Sequence, residues 1–99
     1  MHRLVKVLAR VRNHDGRTLA RHLGGDPPAM SHLRFERLVR SRGDELTLGL
    51  CRAVTMANDT CNVARLGEDL MFWNDTTRTR WIFDYLDTAA PESLEETHQ

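Results

Sequence analysis

Three arginines recur at intervals of three residues, at Arg34, Arg37 and Arg40, and Arg17 and Arg21 follow one another at an interval of four. On a helix these spacings place like charges on one face, where each pair costs roughly a few tenths of a kcal/mol. A guanidinium group donates in a planar fork that matches phosphate oxygens, so a phosphate backbone would neutralise such a row. The spacing therefore indicates a nucleic-acid-binding surface.

Other interpretations of the basic residues stay open. The row at 34–40 could be a solvated face that pairs with Asp44, Glu45 or Glu68. Arg52 lies among apolar residues, so it could extend along the edge of a bundle, pair with Asp69, or contact a phosphate. Arg80 precedes Trp81 and could reach a phosphate together with Thr77.

Metal binding and catalysis find little support in the remaining residues. Cys51 and Cys61 are ten residues apart and belong to no CxxC pair, and His14, His22 and His32 fall at loose intervals. Zinc sites need four ligands at close paired spacing, so we expect no metal, no cofactor and two buried thiols. Glu68 and Asp69 have no histidine partner in an acid–base arrangement, and phosphate-binding loops and nucleophile motifs are absent. We therefore expect a protein that is not an enzyme.

The aromatic side chains could stack on nucleic-acid bases, but at helical spacing they are more often core. Trp73, Trp81 and Tyr85 are predicted to be core residues. Phe72 and Phe83 point away from the main apolar faces of their helices, so they are predicted to lie at a subunit interface.

The net charge of zero conceals two halves of opposite sign. Residues 1–42 contain ten basic and three acidic residues, whereas residues 43–99 contain four arginines and eleven acidic residues. Thirteen of the fourteen cationic residues are arginine. This excess of arginine favours a role in phosphate contact, or it reflects codon bias in a GC-rich genome. No apolar run approaches the length of a membrane span, and the charged first helix does not resemble a signal peptide, so a cytoplasmic protein is expected.

Apolar residues recur at helical intervals along most of the chain, and polar, Gly or Pro residues separate the runs. The pattern predicts an all-α fold, a small bundle of five to six short helices without strands. The helices are expected at 3–12, 17–23, 31–41, 45–57, 63–73 and 78–87, with caps at Asp15 or Gly16, at Ser31 and at Asn62. Residues 1–87 would form a single domain, and residues 88–99 an acidic, disordered tail.

Six short segments occur in the order and spacing found in the CasB family, the small subunit of the type I-E CRISPR Cascade complex. These segments are GRTLAR at 16–21, RFERLVR at 34–40, CRAV at 51–54, NVARL at 62–66, DLMFW at 69–73 and RWIFDY at 80–85. The resemblance covers about residues 16–87. Family members are usually longer, and this chain would begin where their N-terminal lobe ends.

The resemblance implies a non-catalytic, all-helical subunit that acts in antiviral defence. It would contact the backbone and large subunits of Cascade and a second copy of itself, and it would hold guide RNA–target DNA hybrid and displaced single-stranded DNA. No membrane and no small-molecule substrate are expected. The positions that match the basic pattern of the family are Arg17, Arg21, Arg34, Arg37, Arg40, Arg42, Arg52 and Arg80, and Arg65 and Arg78 follow as weaker matches.

Two functions of other classes also fit the residues. A stand-alone helical DNA-binding regulator would place the helix at 31–40 in the major groove and would bind duplex with a sequence preference. A scaffold that contacts only protein would use its arginines in salt bridges between subunits. A degenerate remnant without function is a third possibility.

Overall fold

The computed structural model describes residues 2–89, which contain six α-helices. In chain order they are α1 (His2–Leu8), α2 (Leu19–Leu23), α3 (His32–Arg40), α4 (Gly43–Met56), α5 (Val63–Met71) and α6 (Asp75–Ala89). The predicted all-α class and the number of helices are confirmed. The acidic tail predicted for residues 88–99 lies outside the described residues from position 90 onward, and α6 includes positions 88 and 89.

The expectation of no strand is wrong in one small respect. β1 (Asn13–His14) and β2 (Thr60–Cys61) pair in parallel, with Asn13 opposite Thr60 and His14 opposite Cys61. Strands of two residues are too short to show the alternation of apolar and polar residues by which strands are predicted. The pairing of β1 with β2 links the segment after α1 to the connection between α4 and α5.

Two predicted N-caps are confirmed and one is wrong. The Ser31 hydroxyl accepts from the backbone N–H of Arg34 at 3.3 Å, and the Asn62 carbonyl Oδ1 accepts from that of Arg65 at 3.0 Å. At α2 the cap is Thr18 rather than Asp15 or Gly16. Asp15 faces His22 instead, with its Oδ2 2.9 Å from the ring Nε2.

The two helix boundaries that differ most from the prediction are decided by polar side chains and backbone bonds. α6 begins three residues early because Asn74 caps it, its Oδ1 accepting from the backbone N–H of Thr77 at 3.0 Å. α1 ends at Leu8 because the N–H groups of Arg12 and Asn13 donate to the carbonyl of Asp59. The start of α6 was missed because its polar first turn resembles a loop in sequence. The end of α1 was missed because a hydrogen bond to the distant carbonyl of Asp59 leaves no local sequence pattern.

The core is built around α4, which contacts α1, α2 and α3. Its Leu50, Ala53 and Val54 are completely buried. On the other side of the bundle α2 packs against α6, and the Phe35 and Tyr85 rings stack at 4.1 Å. These contacts fix the orientation of α3 and α4, which carry four of the eight predicted binding residues.

The aromatic predictions are confirmed for the core. Trp81 and Tyr85 are buried, and Trp73 is half-buried with its ring edge-on to Trp81 at 4.9 Å. Ile82 is 36% exposed because it follows the buried Trp81 by one position and lies at the edge of the α6 apolar face.

Candidate nucleic-acid interface

The row of arginines on α3 is exposed because its other face is held in the core. Phe35, Leu38 and Val39 are buried, and the helical period then turns Arg34, Arg37 and Arg40 outward. The predicted arrangement of this helix is therefore confirmed.

α3 and α4 form a groove that gathers arginines from both helices. The groove has a volume of about 920 Å³, and Arg34 and Arg37 of α3 face Arg52 of α4 across it. Its lining also includes the apolar side chains of Leu38 and Met56. Gly49 lies where the helices meet, since a Cβ there would come within 2.8 Å of Leu38 Cδ1. A small residue at this position allows α3 to approach α4.

The basic surface, defined as Arg34, Arg37, Arg40 and Arg52, continues beyond this groove. Arg37 also lines a second depression together with Arg40. Within residues 2–89 none of the four guanidinium groups forms an ion pair or a side-chain hydrogen bond. The alternative in which the row at 34–40 pairs with Asp44, Glu45 or Glu68 is therefore wrong, although Glu45 lines both depressions.

Two further cations lie on the other side of α4 and were not among the predicted binding residues. Lys6 of α1 and Arg10, two residues beyond the end of α1, line a depression with Leu48, and Leu48 also borders the α3–α4 groove. Leu48 is 59% exposed, so an apolar ridge separates two basic depressions. Lys6 and Arg10 are four residues apart on a predicted helix, and this spacing could have indicated a shared basic face. Only the folded structure shows that they lie beside Leu48 of α4.

Arg42 and Arg17 are exposed but stand apart from the groove. Arg42 is the N-cap residue of α4 and makes no side-chain capping bond. Arg17 lies just before α2, where its backbone N–H donates to Asp15 and its carbonyl accepts from Asn62. The structure therefore does not bring all eight predicted arginines onto one surface.

Arg21 and Arg80 hold carboxylates of the chain itself. Arg21 Nη1 lies 2.8 Å from Asp87 Oδ2, and its Nε lies 3.7 Å from Asp84 Oδ1. Arg80 donates to Asp69, which also accepts from the indole Nε1 of Trp81 at 2.8 Å. The suggested pairing of Arg52 with Asp69 is wrong, because these two donors already occupy that carboxylate.

The weaker matches, Arg65 and Arg78, are also engaged within the chain. Arg65 pairs with Glu68 at 3.3 Å. Arg78 pairs with Asp75, donates to the carbonyl of Val39, and lies over the Trp73 ring. These bonds shape the bundle, so Arg65 and Arg78 are less available to a ligand than the arginines of the basic surface.

Two other predictions concern residues outside this surface. Phe72 and Phe83 are 61% and 66% exposed, as their positions off the apolar faces predicted. Cys51 and Cys61 are free buried thiols, and burial, with a smaller effect of Asp15, raises the pKa of Cys61 to about 11. No group of three His, Cys, Asp or Glu side chains in residues 2–89 is placed to hold a metal ion.

These features define a small helical protein with an arginine-rich surface on two adjacent helices. Residues 1–86 match the family described as CRISPR-associated protein Cse2, and the chain belongs to that family. Cse2 is another name for CasB, the small subunit of the type I-E Cascade complex. The match includes residues 1–15, which lie before the six segments described above.

Comparisons with curated proteins and with solved structures gave no match. None of the helices in the part of the chain that the structure describes is long and apolar enough to span a membrane.

Proposed function

We propose that this chain holds DNA strands within a type I-E Cascade complex through its basic surface. The observation that carries the proposal is the α3–α4 groove, where Arg34, Arg37 and Arg52 face one another without an ion pair to any described residue. Family membership supports a place in Cascade, and the groove supplies a surface on which a phosphate backbone could lie.

The proposed mechanism is electrostatic and needs neither a cofactor nor a catalytic group. In an RNA-guided complex the guide selects the sequence by base pairing, so a supporting subunit needs only contacts with the backbone. Each arginine that neutralises a phosphate releases condensed counterions. Contacts with a displaced strand or with the guide–target hybrid would oppose re-annealing and shift a nearly balanced strand exchange toward the open loop.

Arg40 extends the proposed path, because it follows Arg37 in the second depression. Arg42, the N-cap residue of α4, is proposed as a further contact outside both depressions. Arg17, Arg21 and Arg80 are proposed only as secondary contacts. For Arg21 and Arg80, a phosphate would have to compete with a carboxylate that each already holds. The other Cascade subunits and a second copy of this chain are the proposed protein partners.

The test measures the binding of labelled single-stranded and duplex DNA by fluorescence anisotropy across a salt series. Four phosphate contacts by the basic surface predict a slope of about −3 in log affinity against log salt for single-stranded DNA. The variant R34Q/R37Q should reduce the magnitude of that slope by roughly 1.4. The variant R12Q/R65Q removes the same charge from two exposed arginines outside the basic surface and should leave the slope nearly unchanged.

The same titrations are repeated on the complex assembled with its guide and the other Cascade subunits. The proposal is supported if the salt dependence of binding is the same for different DNA sequences and its slope decreases in magnitude in R34Q/R37Q but not in R12Q/R65Q. Duplex binding with a sequence preference would overturn it in favour of the regulator. Unchanged DNA binding when the assembled complex carries R34Q/R37Q would overturn it in favour of the protein-only scaffold.

A further inference from the structure

We infer that a single strand of DNA crosses the exposed face of α4 at Leu48, and that Lys6 and Arg10 hold its phosphates on the side away from the basic surface. Both cations are exposed, and within residues 2–89 neither forms an ion pair or a side-chain hydrogen bond. The inference rests on the function proposed above, because it extends the path of the strand beyond the α3–α4 groove. It adds two phosphate contacts and one contact with a base.

Leu48 is the point at which the two basic depressions meet. The depression of Lys6 and Arg10 has a volume of about 390 Å³, and Leu48 is the one described residue that lines both it and the α3–α4 groove. Packed helices have axes about 8–10 Å apart, so the axes of α1 and α3 lie at most about 20 Å apart across α4. About six stacked nucleotides, at roughly 3.4 Å each, span that distance.

The direction of α1 places its cations beside the middle of α4. The Arg3 Nε donates to the Thr47 hydroxyl at 3.4 Å, and one turn further along both helices the Cys51 thiol donates to the carbonyl of Lys6 at 3.8 Å. The two helices therefore run parallel. Arg10 follows Lys6 by four residues, just beyond the end of α1.

The course of α3 places arginines beside the same part of α4. α3 ends at Arg40 and α4 begins at Gly43, so the C-terminal end of α3 lies beside the start of α4. Arg34 comes from earlier in α3 and faces Arg52, which is further along α4. Cations of α1, α3 and α4 are thus gathered around the middle of α4.

Two carboxylates at the start of α4 direct the strand away from that end. Asp44 lines the depression of Lys6 and Arg10, and Glu45 lines the α3–α4 groove. Neither forms an ion pair within the part of the chain that the structure describes. Since they repel a phosphate backbone, the crossing is expected one turn further along α4, at Leu48.

The exposed side chain at the crossing favours a single strand over a duplex. Leu48 is 59% exposed on the ridge between the two depressions. In a duplex the faces of the bases are covered by their stacked neighbours, whereas a single strand can turn the face of one base onto a protein side chain. Phosphates on both sides of the ridge would hold that base over Leu48.

The phosphate contacts are tested on the full chain with an oligothymidylate of about 12 nucleotides, a length within the usual range of single-strand sites. We expect K6Q/R10Q to reduce the magnitude of the slope of log affinity against log salt by about 1.4, as R34Q/R37Q does. The two pairs combined should reduce it by about 2.8, and one strand should bind per chain. R12Q/R65Q changes two exposed arginines outside both depressions and should leave the slope nearly unchanged.

The base contact is tested with Leu48→Trp, which places a larger stacking surface on the ridge. We expect it to bind the oligothymidylate at least about fivefold more tightly, the lower end of the range for stacking on an aromatic ring, with quenching of the added tryptophan fluorescence. Binding of a duplex of the same length should not change. Phe83→Trp is the matched control at a 66% exposed position on α6, and it should show neither effect.

The crossing is supported if both pairs of substitutions reduce the slope, one strand binds per chain, and the gain at position 48 is confined to single-stranded DNA. It alone is overturned if R34Q/R37Q reduces the slope and K6Q/R10Q does not, if two strands bind per chain, or if Leu48→Trp behaves like Phe83→Trp. An unchanged slope in R34Q/R37Q overturns the proposed function itself, so the two failures can be distinguished.

Discussion

Arg80 and Trp81, consecutive residues of α6, donate to the two oxygens of one carboxylate, that of Asp69 on α5. Asp69 is only 3% exposed, so its charge depends on these two donors. A buried carboxylate that loses a partner is costly, whereas an exposed ion pair contributes little. The bond therefore gives Arg80 a role in joining α5 to α6 that the exposed arginines of α3 do not have.

Arg80→Gln is expected to lower the free energy of unfolding by about 1–3 kcal/mol, because it leaves a buried charge with a weaker partner. Urea denaturation followed by circular dichroism measures the change. Arg65→Gln is the matched control, since its pair with Glu68 is exposed, and it should stay within about 0.5 kcal/mol of the unmodified chain. Equal stability of the two variants would contradict a structural role for Arg80.

Tyr85→Phe is expected to cost about 1–3 kcal/mol of unfolding free energy. Burial raises the pKa of the Tyr85 phenol, and its hydroxyl donates to the carbonyl of Met30 at 2.6 Å. Phenylalanine keeps the stack on Phe35 but leaves that carbonyl without its donor. Thermal and urea unfolding measure the loss. Phe83→Leu on the exposed side of α6 serves as the control, and the prediction fails if both substitutions are neutral.

Asp15→Asn is expected to make the protein less sensitive to acid. The hydrogen bond with His22 lowers the pKa of Asp15 below its ordinary value of 3.8, helped by the N–H of Arg17. The folded state thus binds this proton more weakly than the unfolded state. The stabilisation is complete above about pH 3.8 and is lost as the pH falls through the lower folded-state pKa.

Urea midpoints measured between neutral pH and pH 3 should therefore fall less steeply in Asp15→Asn than in the unmodified chain. Asp75→Asn, at a fully exposed carboxylate, provides the comparison. Parallel curves for Asp15→Asn and the unmodified chain would contradict the prediction.

The two cysteines are expected to react with a thiol reagent only when the protein opens. Cys61 is fully buried and its pKa is raised to about 11, so very little thiolate exists at neutral pH. Cys51 is 9% exposed, so it should be modified first. Mass spectrometry of the folded chain, with the urea-unfolded chain as reference, measures the order of modification. Faster reaction at Cys61 than at Cys51 would be the contrary result.

Much of the fold follows from short-range patterns in the sequence. Helical periodicity predicted a bundle of five to six helices, and Ser31 and Asn62 were correctly identified as caps because their side chains bond within one turn. The exposure of Arg34 and Arg37 also followed, since their positions are fixed relative to Phe35 on the same helix.

Features that depend on distant partners could not be predicted in the same way. Nothing near Asp69 in sequence shows that Arg80, eleven residues away, holds its carboxylate, and Arg52 was an equally reasonable partner. The groove that joins Arg37 to Arg52 depends on the approach of two helices at Gly49. Lys6 and Arg10 were not predicted as part of the surface because their position beside Leu48 is set by the packing of α1 on α4.

The parallel pairing of β1 with β2 has a consequence for the synthesis of the chain. Asn13 and Thr60 are partners, and α2, α3 and α4 all lie between them. Bringing the two ends of so long a loop together costs chain entropy. Each of the three helices between those ends forms by local contacts and does not carry this cost. We therefore expect this pairing to form late in folding. On the ribosome, the segment after α1 must wait without its partner until Cys61 has emerged, although the three helices between them are already complete.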